Sequence, residues 1–322
     1  MYLINLDKTD PFFNLAVDEF LLRNSQDEYL ILSVNSASVV TGKHQVAHME
    51  SDTRFMAMTG IPLIRRISGG GTVFHDPGNL NFSFISNSVP GRQIDFRKYT
   101  LPVIEFLSAI GVDARFEGKN DIRAGGLKIS GNAEHVFRNR VLHHGTLLFD
   151  ADLNRMKMAL RKDQSAYLTR AVRSNPSAVV NLREILSGKP GSPSDISQFR
   201  ASMIDWFLGN IKGTSYGKIS DDDHKEIETL ALSKYRSWNW NYAYGPGYEL
   251  EKTLTRLNGT LRIKITVSEG IISDCKAEGP QRHLNDRLCE KLTGCRHMPE
   301  DLFEIPGKED IFKDGMDVFD LF

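Results

Sequence analysis

Arg65-Arg66-Ile67-Ser68-Gly69-Gly70-Gly71-Thr72-Val73-Phe74-His75-Asp76-Pro77-Gly78-Asn79-Leu80-Asn81-Phe82-Ser83 is the most information-rich stretch of this 322-residue chain. Before the glycines, Ile61 to Ile67 is a strand candidate. After them, Thr72 to His75 resumes an extended pattern, and Leu80, Phe82 and Phe84 alternate with Asn81 and Ser83, the period of a half-buried strand. Strands therefore flank a run of three glycines, whose backbone N–H groups carry no Cβ to keep an anion away. No Gly-Lys-Ser/Thr follows, so this is not a Walker loop, and the Gly-x-Gly-x-x-Gly spacing of dinucleotide folds is absent. A flexible hairpin turn would explain the glycines alone. It does not explain two arginines, a histidine and an aspartate beside them, a combination that points to a bound anion.

Further strands are expected upstream at Tyr2 to Leu6, Tyr29 to Val34 and Ser38 to Thr41, with a helix after Asp10-Pro11. On that helix Phe13, Val17, Phe20 and Leu21 share a face, while Asn14 and Asp18 fall elsewhere. Ser51 to Thr59 reads as a helix closed by Gly60. Downstream, Thr100 to Ile110, Asp152 to Leu160 and Pro176 to Leu186 read as helices, and Leu127 to Phe137 and Val141 to Phe149 as a strand pair. Two more helices follow, Ile196 to Leu208 and Asp221 to Ser233. Tyr244-Gly-Pro-Gly-Tyr248 is the best linker, ahead of strands at Leu261 to Val267 and Ile271 to Ala277 and a helix from about Arg282 to Leu292. The expected organisation is α+β: a large mixed-sheet domain over 1–243, a hinge at 244–248 and a small α+β domain over 249–322.

Two further clusters carry chemistry. In Gly126-Leu127-Lys128-Ile129-Ser130-Gly131-Asn132-Ala133, Lys128 sits between apolar neighbours, so its ammonium points away from them, and Gly131 and Ala133 leave room for a ligand beside it. His143-His144-Gly145-Thr146 lies mid-strand, where at least one imidazole is expected to be a hydrogen-bonded core residue.

Composition narrows the alternatives. Hydrophobic residues make up 40%, enough for a core, and 40 basic against 41 acidic residues leave no net field to draw the chain to nucleic acid or an anionic membrane. No apolar run approaches the length of a membrane span, and the first residues read as neither a secretory nor a transit peptide. Cys275, Cys289 and Cys295 are odd in number, which suits a reducing cytoplasm, and they lack the Cys-x-x-Cys pairing of a zinc site.

In this order the three clusters resemble the lipoate-protein ligase family over most of the chain. Arg65 to Ser83 matches its glycine-rich segment, Gly118-Lys119-Asn120-Asp121 its Gly-Arg-Asn-Asp element, and Lys128 to Ala133 its Lys-x-Ser-Gly-x-Ala element. Phe13 to Glu19, Val172-Arg173-Ser174 and Trp238 to Asn241 add support. Lys119 stands where arginine is common, and Gly42-Lys43-His44-Gln45 where Gly-Arg-x-Gln is frequent, which removes a guanidinium's two-pronged contact at both places. The resemblance implies the biotin/lipoate ligase type of fold, although the Gly-Arg-Gly-Arg-x-Gly loop of biotin-protein ligases is missing.

It also implies an activity: Mg-ATP converts free lipoate to lipoyl-AMP, and the acyl group passes to a lysine of a lipoyl carrier domain, in 2-oxoacid dehydrogenase complexes or the glycine cleavage H protein. Lys128 is the expected catalytic cation. Arg66, Gly71, Thr72, Val73, Phe74, Asn79 and Lys128 correspond to nucleotide-binding positions, and Lys128 to a lipoate position as well. Lipoate positions correspond to Val17, Arg66, Ser68, Gly70 and His75, and to Ser130, Gly131, Ala133, His144 and Gly145. Asp121 is the candidate Mg²⁺ ligand. The acyl slot is expected to be small and apolar, separating lipoate from octanoate by about 1–3 kcal/mol. The competing readings are a transferase using carrier-bound acyl groups or preformed adenylate, and a non-catalytic lipoate binder.

Overall fold

The computed structural model describes residues 1–88, 94–161, 163–256, 259–306, 312 and 316–322. In chain order the strands are β1 (Tyr2–Asn5), β2 (Tyr29–Val34), β3 (Ser38–Thr41), β4 (Leu63–Arg65) and β5 (Val73–His75). They continue with β6 (Asn79–Asn87), β7 (Ala114–Glu117), β8 (Asp121–Ala124), β9 (Leu127–Phe137) and β10 (Arg140–Leu148). The last five are β11 (Tyr167–Leu168), β12 (Ser215–Tyr216), β13 (Tyr248–Arg256), β14 (Gly259–Ser268) and β15 (Ile271–Glu278). Eight of them form a mixed sheet in the order β12-β1-β2-β6-β10-β9-β8-β7. A three-stranded sheet, β4-β3-β5, carries the glycine segment between two of its strands.

One face of the large sheet is mainly apolar, with His143, Glu134 and Asn132 forming a hydrogen-bonded polar group within it. Leu80, Phe82 and Phe84 of β6 pack there beneath the helices Phe96–Ala109 and Ile196–Asn210. The other face changes character along its strands. Ile31, Ile85 and Leu142 lie under the helix Pro11–Asn24, but two residues further along the same face come Ser33, Ser83 and His144. β6 is therefore buried on both faces rather than half-exposed, and its polar alternation lines an internal cavity.

Asp10 caps the helix Pro11–Asn24 by accepting from the Phe12 N–H, and that helix is buried on nearly all sides, so Asn14 and Asp18 point inward rather than to water. The expected helix from Pro176 forms only over Leu182–Leu186. Before it the chain is extended, because the N–H of Lys128 donates to the Ala178 carbonyl and that of Val180 to the Lys128 carbonyl, a pairing that fixes the backbone under the lysine. The helix beginning at Asp221 passes at Ala231 into a widened, π-helical turn ending at Tyr235.

A four-stranded sheet, β11-β13-β14-β15, and the helix Arg282–Leu292 enclose a second core around Leu250, Ile263, Ile265 and Leu288. β13 is a strand the sequence reading left out. The edge strand β11 comes from before the Tyr244–Tyr248 segment, so the polypeptide crosses to this sheet and back ahead of that linker. Buried His48 and His297 meet where the two parts touch: His48 Nε2 lies 2.8 Å from the His297 carbonyl. Of the acidic tail from Glu309 onward, only Phe312 and 316–322 are described, and Val318–Leu321 there is a 3₁₀ turn. Among the described residues no helix is long and apolar enough to cross a membrane.

Candidate active site

The glycine segment is held open by arginines. Arg65 is fully buried and donates to the carbonyls of Gly42, Gln45 and Asn241 at 2.8–2.9 Å, tying the 42–45 turn to the 239–243 segment. Burial lowers its pKa to about 10, which still leaves it charged at neutral pH. Arg66, equally enclosed, donates to the Gly69 carbonyl at 2.6 Å, the Gly71 carbonyl at 2.7 Å and the Val40 carbonyl at 3.0 Å. It has no carboxylate partner among the described residues. Its charge is offset only by carbonyl dipoles, and burial depresses its pKa to about 10 as well.

These bonds occupy the Gly69 and Gly71 carbonyls of the glycine run. Among the described residues no acceptor meets the N–H groups of Gly70 and Gly71. Gly70 takes φ +87°, a left-handed conformation that favours glycine, and a Cβ on Gly42 would stand 2.1 Å from the Gly70 carbonyl oxygen, so two turns approach each other only as glycines. Gln45 joins this corner. Its Oε1 accepts from the Gly42 N–H at 3.0 Å and from Thr72 Oγ1 at 2.8 Å, and its Nε2 donates to Ser174 Oγ at 3.1 Å. Ser174 Oγ in turn accepts from the Thr72 N–H at 2.8 Å.

Across from this loop, Lys128 Nζ lies against the bare backbone of Gly131, 3.0 Å from where a Cβ would be. It pairs with Asp121 Oδ1 at 2.8 Å, while Arg123 holds Asp121 Oδ2 at 2.8 Å. Between the two walls lies a cavity of about 710 Å³, large enough for a nucleotide and a short acyl chain together.

Of the residues singled out in the sequence, Arg66, Gly70, Gly71, Thr72, Val73 and His75 line the cavity from the loop side. Asp121, Lys128, Gly131, Ala133, His144 and Gly145 line it from the sheet. Val17 and Phe74 are instead packed in apolar cores. Asn79 lies beneath the wall and donates to Asn81 Oδ1 at 2.8 Å; Ser130 is enclosed beside Asn132. Ser68 is fully buried as well, accepting from Arg66 Nε at 3.0 Å and lying 2.6 Å from His144 Nε2. The adjacent histidines part company: His144 faces the cavity, while His143 is enclosed by Tyr99 and Phe82, its nitrogens 2.9 Å from Glu134 and 3.2 Å from Asn132.

The sequence reading gave no role to a whole polar wall: Asn14, Asp18, Ser33, Asn35, Asn81 and Ser83. Asp18 Oδ2 accepts from Ser83 Oγ at 2.9 Å and lies 3.3 Å from His144 Nδ1. The available signal was the pair of polar positions off the apolar face of the first helix. His75 is held neutral, because burial and the nearby Arg66 charge push its pKa down to about 3.

Comparisons with known proteins place the chain in a family. Residues 10–208 match the lipoyl protein ligase A/B catalytic domain family. Lipoate–protein ligase 1 of Staphylococcus aureus is 34% identical over 315 residues, covering 97% of this chain and 94% of that protein. Among solved structures, protein Ta0514 of T. acidophilum with bound lipoic acid is 27% identical with a TM-score of 0.63, covering 74% of this chain and 98% of that one. A lipoate-protein ligase A bound with ATP is 27% identical with a TM-score of 0.62, covering 74% and 97%. The mixed α+β fold with its large sheet is thus the fold these ligases share, and the chain belongs to the lipoate-protein ligase family.

Proposed function

We propose that this protein activates free lipoate with ATP and transfers the lipoyl group to a lysine of a lipoyl carrier domain. One observation carries the reading: Lys128 and the carboxylate-free Arg66 stand on opposite walls of one cavity, beside glycine N–H groups with no protein acceptor. Such a site suits two anions brought together. Supporting it further, none of the three cysteines lines the cavity, as a thioester route would require.

In the first step a lipoate carboxylate oxygen attacks the α-phosphorus, the bond to the β-phosphate oxygen breaks and pyrophosphate departs with the electron pair. Lys128 spans carboxylate and α-phosphate, exchanging Asp121 for substrate oxygens. Arg66 and the Gly70 and Gly71 amides neutralise the acyl-phosphate end, and Thr72 and Val73 face the nucleotide side, with Phe74 and Asn79 buried behind them. In the second step a neutral carrier lysine attacks the carbonyl carbon, AMP leaves and the amine proton passes to solvent. His75, Ala133, His144 and Gly145 surround the acyl tail in this reading, with Gly131 under Lys128 and with Val17, Ser68 and Ser130 buried behind that wall.

Mg²⁺ fits this site as a companion of the triphosphate rather than a resident ion. No group of three metal-ligating side chains occurs among the described residues, and Asp121 offers one carboxylate whose oxygens already hold Lys128 and Arg123. Asp121 would hold the ion once Lys128 turns to substrate, and the ion would shield phosphate charge. Carriers of the 2-oxoacid dehydrogenase or glycine cleavage H type, and a cytoplasmic setting for three free thiols, complete the reading.

We also propose that 1–243 is the catalytic domain, 244–248 a hinge and 249–322 an accessory domain that closes over the nucleotide and opens for the carrier. The Arg65 clamp on the 239–243 segment supports placing the pivot after it. The test is pyrophosphate release from lipoate and Mg-ATP, followed by a lipoyl mass increment on an added carrier domain. No release with wild-type protein would sink the ligase reading.

A further inference from the structure

The cavity's inner end contains a chain of hydrogen bonds whose direction is forced. It begins at the Lys8 backbone carbonyl, which only accepts, so Asn14 must present its NH₂ group there, at 2.9 Å. The same Nδ2 lies 2.7 Å from Asn35, which therefore presents Oδ1. Asn35 is left with Nδ2 facing His75 Nδ1 at 2.9 Å, and that ring nitrogen must accept. The imidazole proton consequently resides on Nε2. Asn14, Asn35 and His75 are all buried, all line the cavity, and His75 Nε2 meets no acceptor among the described residues.

The position of this donor follows from the sheet. Lys128 Nζ stands over Gly131 on β9; the Gly131 N–H is 3.4 Å from Thr146 Oγ1 on β10; Thr146 lies opposite Asn81 on β6, and Asn81 opposite Ser33 on β2. From β9 to β6 is two strand spacings, about 10 Å. A lipoyl chain extended from its carboxyl carbon reaches about 9 Å before its ring ends. With the carboxylate at Lys128, the dithiolane arrives over β6 and points toward β2, from whose end Asn35 holds His75. A ring sulfur is a weak acceptor, whereas the terminal methyl of octanoate is none and leaves the N–H unmet.

We infer that Asn14 and Asn35 are positioning residues that lock His75 as an Nε2–H donor, and that this donor selects acyl acids whose far end carries an acceptor, the dithiolane of lipoate over an all-carbon tail. The inference rests on the ligase reading and replaces the expected apolar slot with a polar one. The neutral state of His75 supports it, since an imidazolium would need no tautomer lock.

Asn35→Asp is the decisive variant, because a carboxylate of the same shape accepts from Nδ1 and reverses the chain. Two-bond ¹H–¹⁵N spectra of the full-length protein, with His75 assigned by difference against His75→Gln, read the tautomer. The expected results are Nε2–H in wild type, Nδ1–H in Asn35→Asp, and a tenfold fall in the lipoate-to-octanoate ratio of kcat/KM for pyrophosphate release, carried by KM for lipoate. Should Asn35→Asp fail to fold, His75→Gln, which keeps an amide donor near Nε2, is expected to retain the preference that His75→Leu loses. Wild-type His75 protonated at Nδ1 would overturn the inference. So would an unchanged substrate ratio in Asn35→Asp or in His75→Leu. Absence of pyrophosphate release by wild type would instead overturn the ligase reading, with the tautomer spectrum still deciding the relay.

Discussion

The two ends of the cavity solve opposite problems with the same economy of charge. At the outer end, Lys128 and Arg66 bring positive charge to a place walled by carbonyls and open amides. At the inner end Asn14, Asp18, Ser33, Asn35, His75, Asn81 and Ser83 gather, and His75 is kept neutral. Phosphate chemistry needs a field that persists when water is excluded. An uncharged tail needs direction without field, which neutral donors and acceptors supply.

Breaking the outer end has the largest expected effect. Lys128→Ala should reduce lipoate-dependent pyrophosphate release at least a thousandfold, about 4 kcal/mol of transition-state stabilisation, in single-turnover assays. Lipoate binding measured by calorimetry should weaken far less. Arg66→Lys keeps a charge but cannot serve the Gly69, Gly71 and Val40 carbonyls together, so kcat/KM for ATP is expected to fall about a hundredfold.

The inner end, and the seam where His48 meets His297, are better sharpened by pH. His75, pushed down to about 3, and His297, pushed down to about 4, both have folded pKa values below their unfolded value near 6.5. Stability is therefore fully present above pH 6.5 and is lost as pH falls toward those folded values. Each group should remove about 2 kcal/mol between pH 6.5 and pH 5, measurable by urea unfolding, and His75→Gln should flatten its share. The smallest effect belongs to Ser174→Ala, which takes the acceptor from the Thr72 N–H: about a fivefold rise in KM for ATP, with KM for lipoate moving less.

Most of the outer end was legible in the sequence, because the glycines, arginines and Lys128 lie in short contiguous segments whose chemistry is local. The inner end was not. Helical periodicity marks Asn14 and Asp18 as off the apolar face, and strand alternation marks Asn81 and Ser83 likewise, yet neither period distinguishes water outside from a cavity inside. Pro176 to Val180 misled for a related reason: local pattern suggested a helix, but the backbone of Lys128 offered those residues a partner. Nor does any local pattern reveal that Tyr167–Leu168 joins a sheet built from residues beyond 247.

That borrowed strand has a mechanical meaning. From Leu168, at the rim of the C-terminal sheet, six residues of chain lead to Ser174, whose hydroxyl holds the Thr72 N–H beside the glycine run. Thr169 also grips the Gly247 carbonyl at 2.9 Å, and the Val172 N–H reaches the His44 carbonyl at 3.2 Å. If that sheet swings as proposed, the segment would act as a drawstring: the displacement would arrive at the glycine turn through covalent chain, and loading or unloading of the nucleotide would become a matter of tension.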